Sequence, residues 1–400
     1  MPLRSQLRRM IGRDPAEEGR AGSSLEIFYD LVFVVAFSVA STQLAHFVAE
    51  GHYRTATLGY LLATFSAIWA WINFAWFASA FDTDDWLFRL LALVQMLGIA
   101  IMAIGIPAVF TSIDAGEHPA ITVMVIGYIV MRVGMVAQWV RAGLSSPDSR
   151  RTCFTYAVTT LVAQAGWVFL ALAPLNLRDT LIGAVICVGV EIGGPWYAET
   201  KVQPTPWNPD HIAERYATLT VITLGEGVVG TVALLQALIE RTGWSQQTII
   251  LGLTAMGVTF AMWWLYFLLP NGEALREFPQ RCFGFGYGSI PLLMACAAVG
   301  AGLHVVALWI ENESHISDFA VVGALALPVG VFSIGLLVIN AYLTRGQEDG
   351  AILGWAAVAA VIPLVTGLVL AGAGLPLMLC AVVVCLTPVL PVLVVETVAD

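Results

Sequence analysis

The feature that most constrains this chain is a succession of apolar stretches, each long enough to cross a lipid bilayer. A membrane-spanning helix needs about 20 mostly apolar residues, and such runs follow one another through almost the whole sequence. Charged residues make up 12% of the chain, against about 25% in soluble domains. The sequence does not show the alternating segments of about 10 residues that mark outer-membrane β-barrels. It therefore predicts an all-α polytopic membrane protein.

Twelve candidate spans can be counted, with boundaries placed to within about two to four residues. They lie at 25–48, 56–80, 88–110, 119–140, 152–173, 179–198, 211–236, 247–270, 282–308, 318–343, 351–372 and 375–396. We expect the sixth span to break at Gly193-Gly194-Pro195. Only the short turn Gly372–Gly374 separates the last two spans.

The basic residues predict the orientation of these spans, because cytoplasmic loops are enriched in Lys and Arg. With the N-terminus inside, fourteen of the 18 Lys and Arg residues fall in inner segments, and Arg54, Arg178 and Arg241 fall in outer loops. An even number of spans then places both termini in the cytoplasm. The first apolar stretch carries two carboxylates, which suits a retained helix better than a cleaved signal.

A faint internal similarity suggests two halves of the chain. Trp71 and Trp263 are 192 residues apart, and so are Arg89 and Arg281. Because six spans separate these landmarks, we predict a parallel six-plus-six repeat, an arrangement in which transporters often place their sites between the repeats. The predicted divisions are a basic cytoplasmic segment 1–24, a six-helix half 25–198, a cytoplasmic linker 199–210 and a second half 211–400.

The first span, Leu25–His46, carries Glu26 and Asp30 four residues apart on one helix face. Ser23-x-x-Glu26 matches the capping box, in which serine and glutamate satisfy each other's backbone N–H groups. Glu26 thus has a structural interpretation beside a functional one. Asp30 lies one turn deeper, where capping does not explain it, and is either a functional carboxylate or an interfacial one.

Two more charges lie in apolar spans, where a charge at the bilayer centre costs roughly 2.5–3.5 kcal/mol on insertion scales. Arg132 lies near the middle of the fourth span, and we expect it to pair with a buried carboxylate, for either a structural or a functional reason. Glu191 precedes Gly193-Gly194-Pro195. It is either a carboxylate facing a cavity or a residue at a helix end near the cytoplasmic surface.

The seventh span places His211, Glu214 and Glu226 on one helix face. Glu226 is twelve residues beyond Glu214, or about 18 Å deeper, near the bilayer midplane. It is the strongest candidate for a proton- or ion-linked role, whereas His211 is more simply a capping or interfacial histidine. Three glycines flank Glu226 and allow another helix to approach closely: Gly225, Gly227 and Gly230.

A polar cluster at the cytoplasmic face is predicted from Asp82, Asp85, Arg89, Arg215 and Arg281. The acidic loop 81–86 is ordinary as a solvated loop, although three aspartates could also bind a cation. The six cysteines show no CxxC spacing, so no disulfide framework, metal site or other cofactor is expected.

Tryptophans recur near the ends of the second and eighth spans, at Trp69, Trp71, Trp76, Trp263 and Trp264. Such residues are most simply interfacial or packing residues.

Several of these stretches resemble the bacterial low temperature requirement A family. The resemblance rests on LEIFYDLVFVVAFSVASTQLAH (25–46), on WAWINFAWFASAFDTDDWLFRLL (69–91) and the residues up to 110, on HIAERYATLTVITLGEGVVG (211–230), and on MWWLYF (262–267) with FGYG (285–288). It implies a multi-pass protein of the bacterial cytoplasmic membrane, without a settled activity. The residues that match the family pattern are Glu26, Asp30, Asp82, Asp85, Arg89, Gln95, Arg132, His211, Glu214, Arg215 and Glu226. The chain departs from that pattern at Leu268 and Ser289, where the family often has an aspartate and a histidine.

Three functions are compatible with the sequence. The first is a proton- or cation-linked permease or channel of unknown substrate, with Asp30 and Glu226 handling the ion and Arg132 as counter-ion. The second is a membrane enzyme acting on a lipid or isoprenoid substrate through Asp82, Asp84 and Asp85 with the 211–215 segment. The third is a non-catalytic envelope protein. The expected partners are the bilayer and protons, cations or a small solute. The absence of a basic cluster beyond the N-terminus argues against nucleic acid.

Overall fold

The computed structural model describes residues 7–346 and 350–398, and this part of the chain is helical, without a β-strand. The helices are α1 Ser24–Ala49, α2 Tyr53–Phe81, α3 Trp86–Asp114, α4 Thr122–Ser145, α5 Arg150–Leu172, α6 Leu177–Tyr197, α7 Pro209–Thr242, α8 Gln246–Leu268, α9 Asn271–Glu277, α10 Cys282–Ile310, α11 Asp318–Leu343, α12 Gly350–Gly372, α13 Leu377–Cys385 and α14 Val389–Val398.

Twelve helical segments are long and apolar enough to cross a membrane. They are α1–α8, α10, α11, α12, and the pair α13 and α14 taken together, with the short α9 following α8. The predicted all-α architecture with twelve spans is confirmed. The chain is a multi-pass membrane protein.

The predicted break in the sixth span is wrong. Helix α6 runs through Pro195 to Tyr197, and a π-helical turn, Ala198–Val202, continues it. The glycine before Pro195 serves packing instead, because a Cβ on Gly194 would lie 2.8 Å from the Thr159 Cβ of α5. The helical hydrogen bonding resumes at once, since the Ala198 N–H donates to the carbonyls of Gly194 and Pro195.

The last predicted span, 375–396, is interrupted instead. Helix α13 ends at Cys385 and α14 begins at Val389. Pro388 and Pro391 lie at this junction. Proline has no backbone N–H to donate and its ring clashes with the preceding turn, so two prolines three residues apart interrupt the helix.

Side-chain caps fix where the helices that matter for the site begin. The Asp85 side chain accepts from the Phe88 N–H at 2.9 Å and starts α3. The Asn208 side chain accepts from the His211 N–H at 2.9 Å, with Pro209 as the first residue of α7. Both arrangements match known N-terminal preferences, and the second one sets the position of His211.

The chain divides into two compact units. The first comprises the described residues up to Val39 together with Leu62–Arg215, and the second comprises Ala40–Leu61 together with the described residues from Tyr216 onward. In the first unit α3 packs on α4, α4 on α5 and α5 on α6; in the second, α10 packs on α11 and α11 on α12. The predicted halves, the internal repeat and the cytoplasmic termini stay predictions.

Candidate functional site

The acidic face of α1 is buried in the first unit. Glu26 is 1% exposed and Asp30 is 0% exposed, and Phe33 and Phe37 continue the same buried face. The capping box is also present: the Ser23 N–H donates to Glu26 Oε2 at 2.7 Å, and the Glu26 N–H donates to Ser23 Oγ at 3.3 Å. Glu26 therefore contributes to the cap at the beginning of α1 through Oε2, and its other carboxylate oxygen, Oε1, faces the buried interior.

Helix α7 supplies the groups that meet these carboxylates. Arg215 Nη1 lies 2.7 Å from Glu26 Oε1, and Arg215 Nη2 donates to Asp30 Oδ1. His211 Nε2 lies 3.2 Å from Glu26 Oε1. Residues four apart on α1 thus face residues four apart on α7, as the helical repeat requires. We call Glu26, Asp30, His211 and Arg215 the acid–base quartet.

Aromatic side chains of α2 enclose the quartet. The indole N–H of Trp71 donates to Asp30 Oδ1 at 2.6 Å. The Arg215 guanidinium carbon lies 5.8 Å from the centre of the Trp71 ring and 6.0 Å from that of Phe74. At these distances both rings can stabilise the cation through their π faces. Trp71 is fully buried, which matches the packing interpretation, and it also donates a hydrogen bond to a buried carboxylate.

The quartet contains two carboxylates but one arginine, so its own residues sum to one negative charge while His211 is neutral. The buried Arg20 guanidinium, which donates to the Ala78 and Ser79 carbonyls, acts on Glu26 and His211 from outside the quartet. Asp30 Oδ2, His211 Nδ1 and Arg215 Nε have no hydrogen-bond partner among the described residues. Arg215 Nη1 and Glu26 Oε1 are close but lie outside hydrogen-bonding angles, so their contact is an ion pair only. The site thus has a vacant acceptor, and one proton would neutralise it.

A second buried group joins α4 and α6 in the same unit. Arg132 Nη2 donates to Glu191 Oε2 at 2.8 Å, and the Tyr128 hydroxyl donates to Glu191 Oε1 at 3.0 Å. The Trp69 indole N–H also donates to Glu191. The expected carboxylate partner of Arg132 is therefore Glu191, and this pair is neutral. Helix α6 continues to Tyr197, so Glu191 is not at a helix end. Trp69 is buried, which matches its interpretation as a packing residue.

The predicted counter-ion of Asp30 requires correction. Asp30 is paired with Arg215 of α7, while Arg132 is occupied by Glu191. The sequence suggested Arg132 because it is the arginine that lies deepest in a predicted span. Arg215 lies near the start of α7, at a position that resembled a cytoplasmic surface residue.

The predicted cytoplasmic polar cluster is distributed over separate contacts. Asp82 lies 3.7 Å from Arg13, Asp84 pairs with Arg89 at 2.8 Å, and Asp85 pairs with Arg141. Three aspartates of one loop thus face three different arginines. In the second unit, Arg281 Nη2 donates to the Arg345 carbonyl at 3.0 Å. Among the described residues, no group of three or more His, Cys, Asp or Glu side chains is arranged to hold a metal ion.

Two aspartates of this loop have shifted acidities. Burial, reinforced by the negative charge of Glu26, raises the pKa of Asp82 to about 6. Burial would also raise the pKa of Asp85, but hydrogen bonds from Arg141 and from the Phe88 and Arg8 N–H groups lower it to about 2. Glu214, by contrast, is exposed and accepts from the Gly22 N–H at 3.3 Å, outside the quartet.

Glu226 lies in the second unit and is 5% exposed. The backbone of α10 approaches α7 beside it, because a Cβ on Gly230 would lie 3.0 Å from the Gly300 Cα. A Cβ on Gly227 would lie 3.2 Å from Thr259 Cγ2, whereas Gly225 has nothing within 4 Å. The predicted close helix approach is confirmed at Gly230.

Sequence reasoning missed the uncharged partners of the site, apart from Gln95, which the family pattern includes. Trp69, Trp71 and Tyr128 donate to buried carboxylates. Tyr29 donates to Gln95 at 3.2 Å, and Gln95 donates to Gln138 at 2.9 Å, which links α1, α3 and α4. Trp71 lies in an otherwise apolar span, and the residue pattern of that span did not indicate that Trp71 would donate a hydrogen bond to Asp30. Gln138 could have been noticed as a polar residue two turns from Arg132.

Comparison of this chain with known proteins identifies its family. The family model described as bacterial low temperature requirement A protein matches residues 21–387. Uncharacterized protein RA0937 of Rhizobium meliloti (strain 1021) is 27% identical over 287 residues, which are 67% of this chain and 65% of that protein. The chain thus spans slightly less than two thirds of that relative's length. No solved structure matches significantly. Since the family model covers most of the sequence, the chain belongs to the bacterial low temperature requirement A family.

Proposed function

We propose that this chain is a proton- or cation-linked permease or channel of the bacterial cytoplasmic membrane, which uses buried carboxylates on α1 and α7. One observation carries the proposal: the quartet holds two almost fully buried carboxylates against a single arginine. A net charge buried in an apolar span is costly and needs a compensating ion. A protein that needed only structural ion pairs would match the charges, as Arg132 and Glu191 do.

A proton is the compensating ion that fits the geometry best. His211 Nε2 lies within hydrogen-bond distance of Glu26 Oε2, at 3.4 Å, so one proton can be held between them. Asp30 Oδ2 offers a second position without a partner among the described residues. The quartet can therefore hold the proton at two places while Arg215 stays charged, which is what a proton-binding step requires.

The other buried charges have different parts in this proposal. The neutral Arg132–Glu191 pair ties α4 to α6 and holds the first unit together. Glu226 is the second carboxylate that would bind a proton or a cation, in the second unit. The transported solute in this proposal is a small molecule or an ion.

The test is flux through purified protein in proteoliposomes, measured with a pH-sensitive dye and with monovalent cations under imposed gradients. We compare the wild type with Asp30→Asn and Glu226→Gln, which keep size and polarity but remove the ionisable group. Asp179→Asn, at an exposed position in the first turn of α6, is the matched control.

We expect Asp30→Asn to remove most of the pH dependence of the flux and Glu226→Gln to lower the flux itself, while Asp179→Asn behaves as wild type. Equal flux in all four proteins would refute the assignment of the carboxylates. A wild type without flux under any gradient would refute transport and leave the buried charges as structural pairs.

A further inference from the structure

A deep groove lies on the surface of the second unit. It has a volume of about 510 Å³ and is formed by the end of α1, the beginning of α2, and parts of α10 and α11. Its walls are almost entirely apolar and include small residues such as Ala298, Ala301, Gly302 and Gly323. The one buried hydroxyl in the wall is already engaged, because Tyr60 donates to the Met294 carbonyl at 2.7 Å.

The groove opens toward lipid. Leu61 and Leu327 line it and are 46% and 71% exposed, and both lie within helices that cross the membrane. An exposed apolar residue of a membrane-spanning helix faces acyl chains. The material in contact with the mouth of the groove is therefore hydrocarbon.

The groove starts at one end of these helices and extends to their middle. Val48 of α1, Tyr53 of α2 and Ala320 of α11 line one end of it, and the His315 N–H donates to the Ala49 carbonyl at that end. From Ala320 to Val331 the groove follows twelve residues of α11, a rise of eleven steps or about 16 Å at 1.5 Å per residue. Half of a hydrocarbon core of about 30 Å is close to this length, so the groove matches one leaflet.

A positively charged side chain, that of Arg54, lies at the end of the groove next to the loop between α1 and α2. Arg54 is exposed, and no hydrogen bond or ion pair to another described residue holds its side chain. It lies three residues before Thr57 and seven before Leu61, which both line the groove, so it shares their helix face. Arginine binds phosphate oxygens through its fork of N–H donors.

We propose that this groove binds one phospholipid of the surrounding bilayer, with an acyl chain along the apolar wall and the phosphate beside Arg54. The proposal does not depend on the transport function, because it involves none of the quartet residues and not Glu226. The length of one leaflet, the apolar lining and the unengaged guanidinium at the headgroup level all match a glycerophospholipid.

Native mass spectrometry of the purified protein tests this. The protein is released from detergent after exposure to either dioleoylphosphatidylglycerol or dioleoylglycerol, which carries the same chains without phosphate. We expect the wild type to retain one phosphatidylglycerol per chain and to retain dioleoylglycerol about tenfold less, since a charged hydrogen bond to phosphate is worth about a factor of ten.

Two variants test the two ends of the site. A Cβ on Gly323 meets nothing within 4 Å, so Gly323→Leu fills the groove without a backbone clash and should abolish retention. Gly257→Leu is the control, because Gly257 of α8 also has nothing within 4 Å and lies outside the groove. Thr57→Phe fills the groove from the opposite wall, should Gly323→Leu fail to fold.

Arg54→Gln should lower phosphatidylglycerol retention about tenfold and leave dioleoylglycerol unchanged, whereas Arg178→Gln, another exposed arginine, changes neither. Retention by a folded Gly323→Leu or Thr57→Phe equal to that of the wild type would overturn the groove as the site. Equal retention of the two lipids by the wild type would overturn the role of Arg54.

Discussion

Arg215 is the residue on which the buried charges of α1 depend, because it contacts both Glu26 and Asp30. Arg215→Met would leave two carboxylates facing each other without a cation. Removing one partner of a buried ion pair typically costs about 3–5 kcal/mol, so we expect a loss of that size in thermal unfolding of the detergent-solubilised protein. Arg89→Met breaks an exposed pair and should cost less than about 1 kcal/mol.

A triple variant tests whether the loss of stability in Arg215→Met comes from unpaired charge. Adding Glu26→Gln and Asp30→Asn to Arg215→Met removes the unpaired charges and should restore part of the stability. If the triple variant is as unstable as Arg215→Met alone, the loss arises from packing of the Arg215 side chain and not from its charge.

Asp82 and Asp85 should affect stability at opposite ends of the pH scale. The pKa of Asp82 rises from 3.8 to about 6 on folding, so its contribution to stability is present below about pH 4 and is lost as the pH rises through 6. The pKa of Asp85 falls to about 2, so its contribution is present above about pH 4 and is lost as the pH falls through 2.

Asp82→Asn should therefore gain stability relative to wild type as the pH rises from 4 to 7. Two pKa units set a ceiling of about 3 kcal/mol. The measurement is the unfolding temperature at several pH values in one detergent. Asp84→Asn is the control, because Asp84 is exposed and its positive φ of 45° suits asparagine; a similar slope in this variant would contradict the assignment to Asp82.

The crossing of α3 and α4 depends on two glycines. A Cβ on Gly98 would lie 2.6 Å from the Gly127 carbonyl oxygen, and a Cβ on Gly127 would lie 2.8 Å from the Met102 Cα. Because both contacts are to backbone, a side chain can be accommodated only if the helices separate. Gly127→Ala should therefore destabilise the first unit by about 1–3 kcal/mol.

Gly189→Ala is the same substitution at a position where we expect a gain in stability instead of a loss. Gly189 of α6 has nothing within 4 Å of an added Cβ, and alanine favours helix by up to about 1 kcal/mol over glycine. Unfolding of the two variants side by side separates packing from helix propensity. Equal shifts in both would contradict the close crossing.

Features that depend on a single helix were predictable from the sequence. Four-residue spacing placed Glu26 and Asp30 together on a buried face, and the capping box at Ser23 followed from sequence alone. Pairings between helices were not predictable in this way. Asp30 and Arg215 are 185 residues apart, and helical periodicity does not determine which distant face packs against which.

At the scale of the whole molecule, hydropathy gave the number of spans, because each helix must satisfy its backbone within the bilayer. It could not locate the π-helical turn after α6 or the interruption between α13 and α14. The first follows Pro195 within a helix that continues without a break, and the second lies where two prolines stand three residues apart. The two compact units depend on contacts between distant segments and have no signature in local composition.

Twelve spans place both termini on one side, and the basic residues predict that this side is the cytoplasm. Fusing a fluorescent protein to either end should give fluorescence in the bacterial host, and alkaline phosphatase at either end should be inactive. Phosphatase activity at the C-terminus would mean an odd number of spans, and activity at both ends would mean an inverted protein.

The long separation between the quartet's partners has a consequence for how the protein is made. A ribosome adds roughly 5–20 residues per second, so Arg215 follows Asp30 by the time needed for 185 residues, roughly 10–40 s. During synthesis α1 must therefore wait, either protonated in the membrane or retained at an aqueous surface, until α7 arrives. Helix α1 is made first, but its carboxylates gain their positively charged partner only when α7 has been made. Assembly of this protein in the membrane therefore depends on the synthesis of α7.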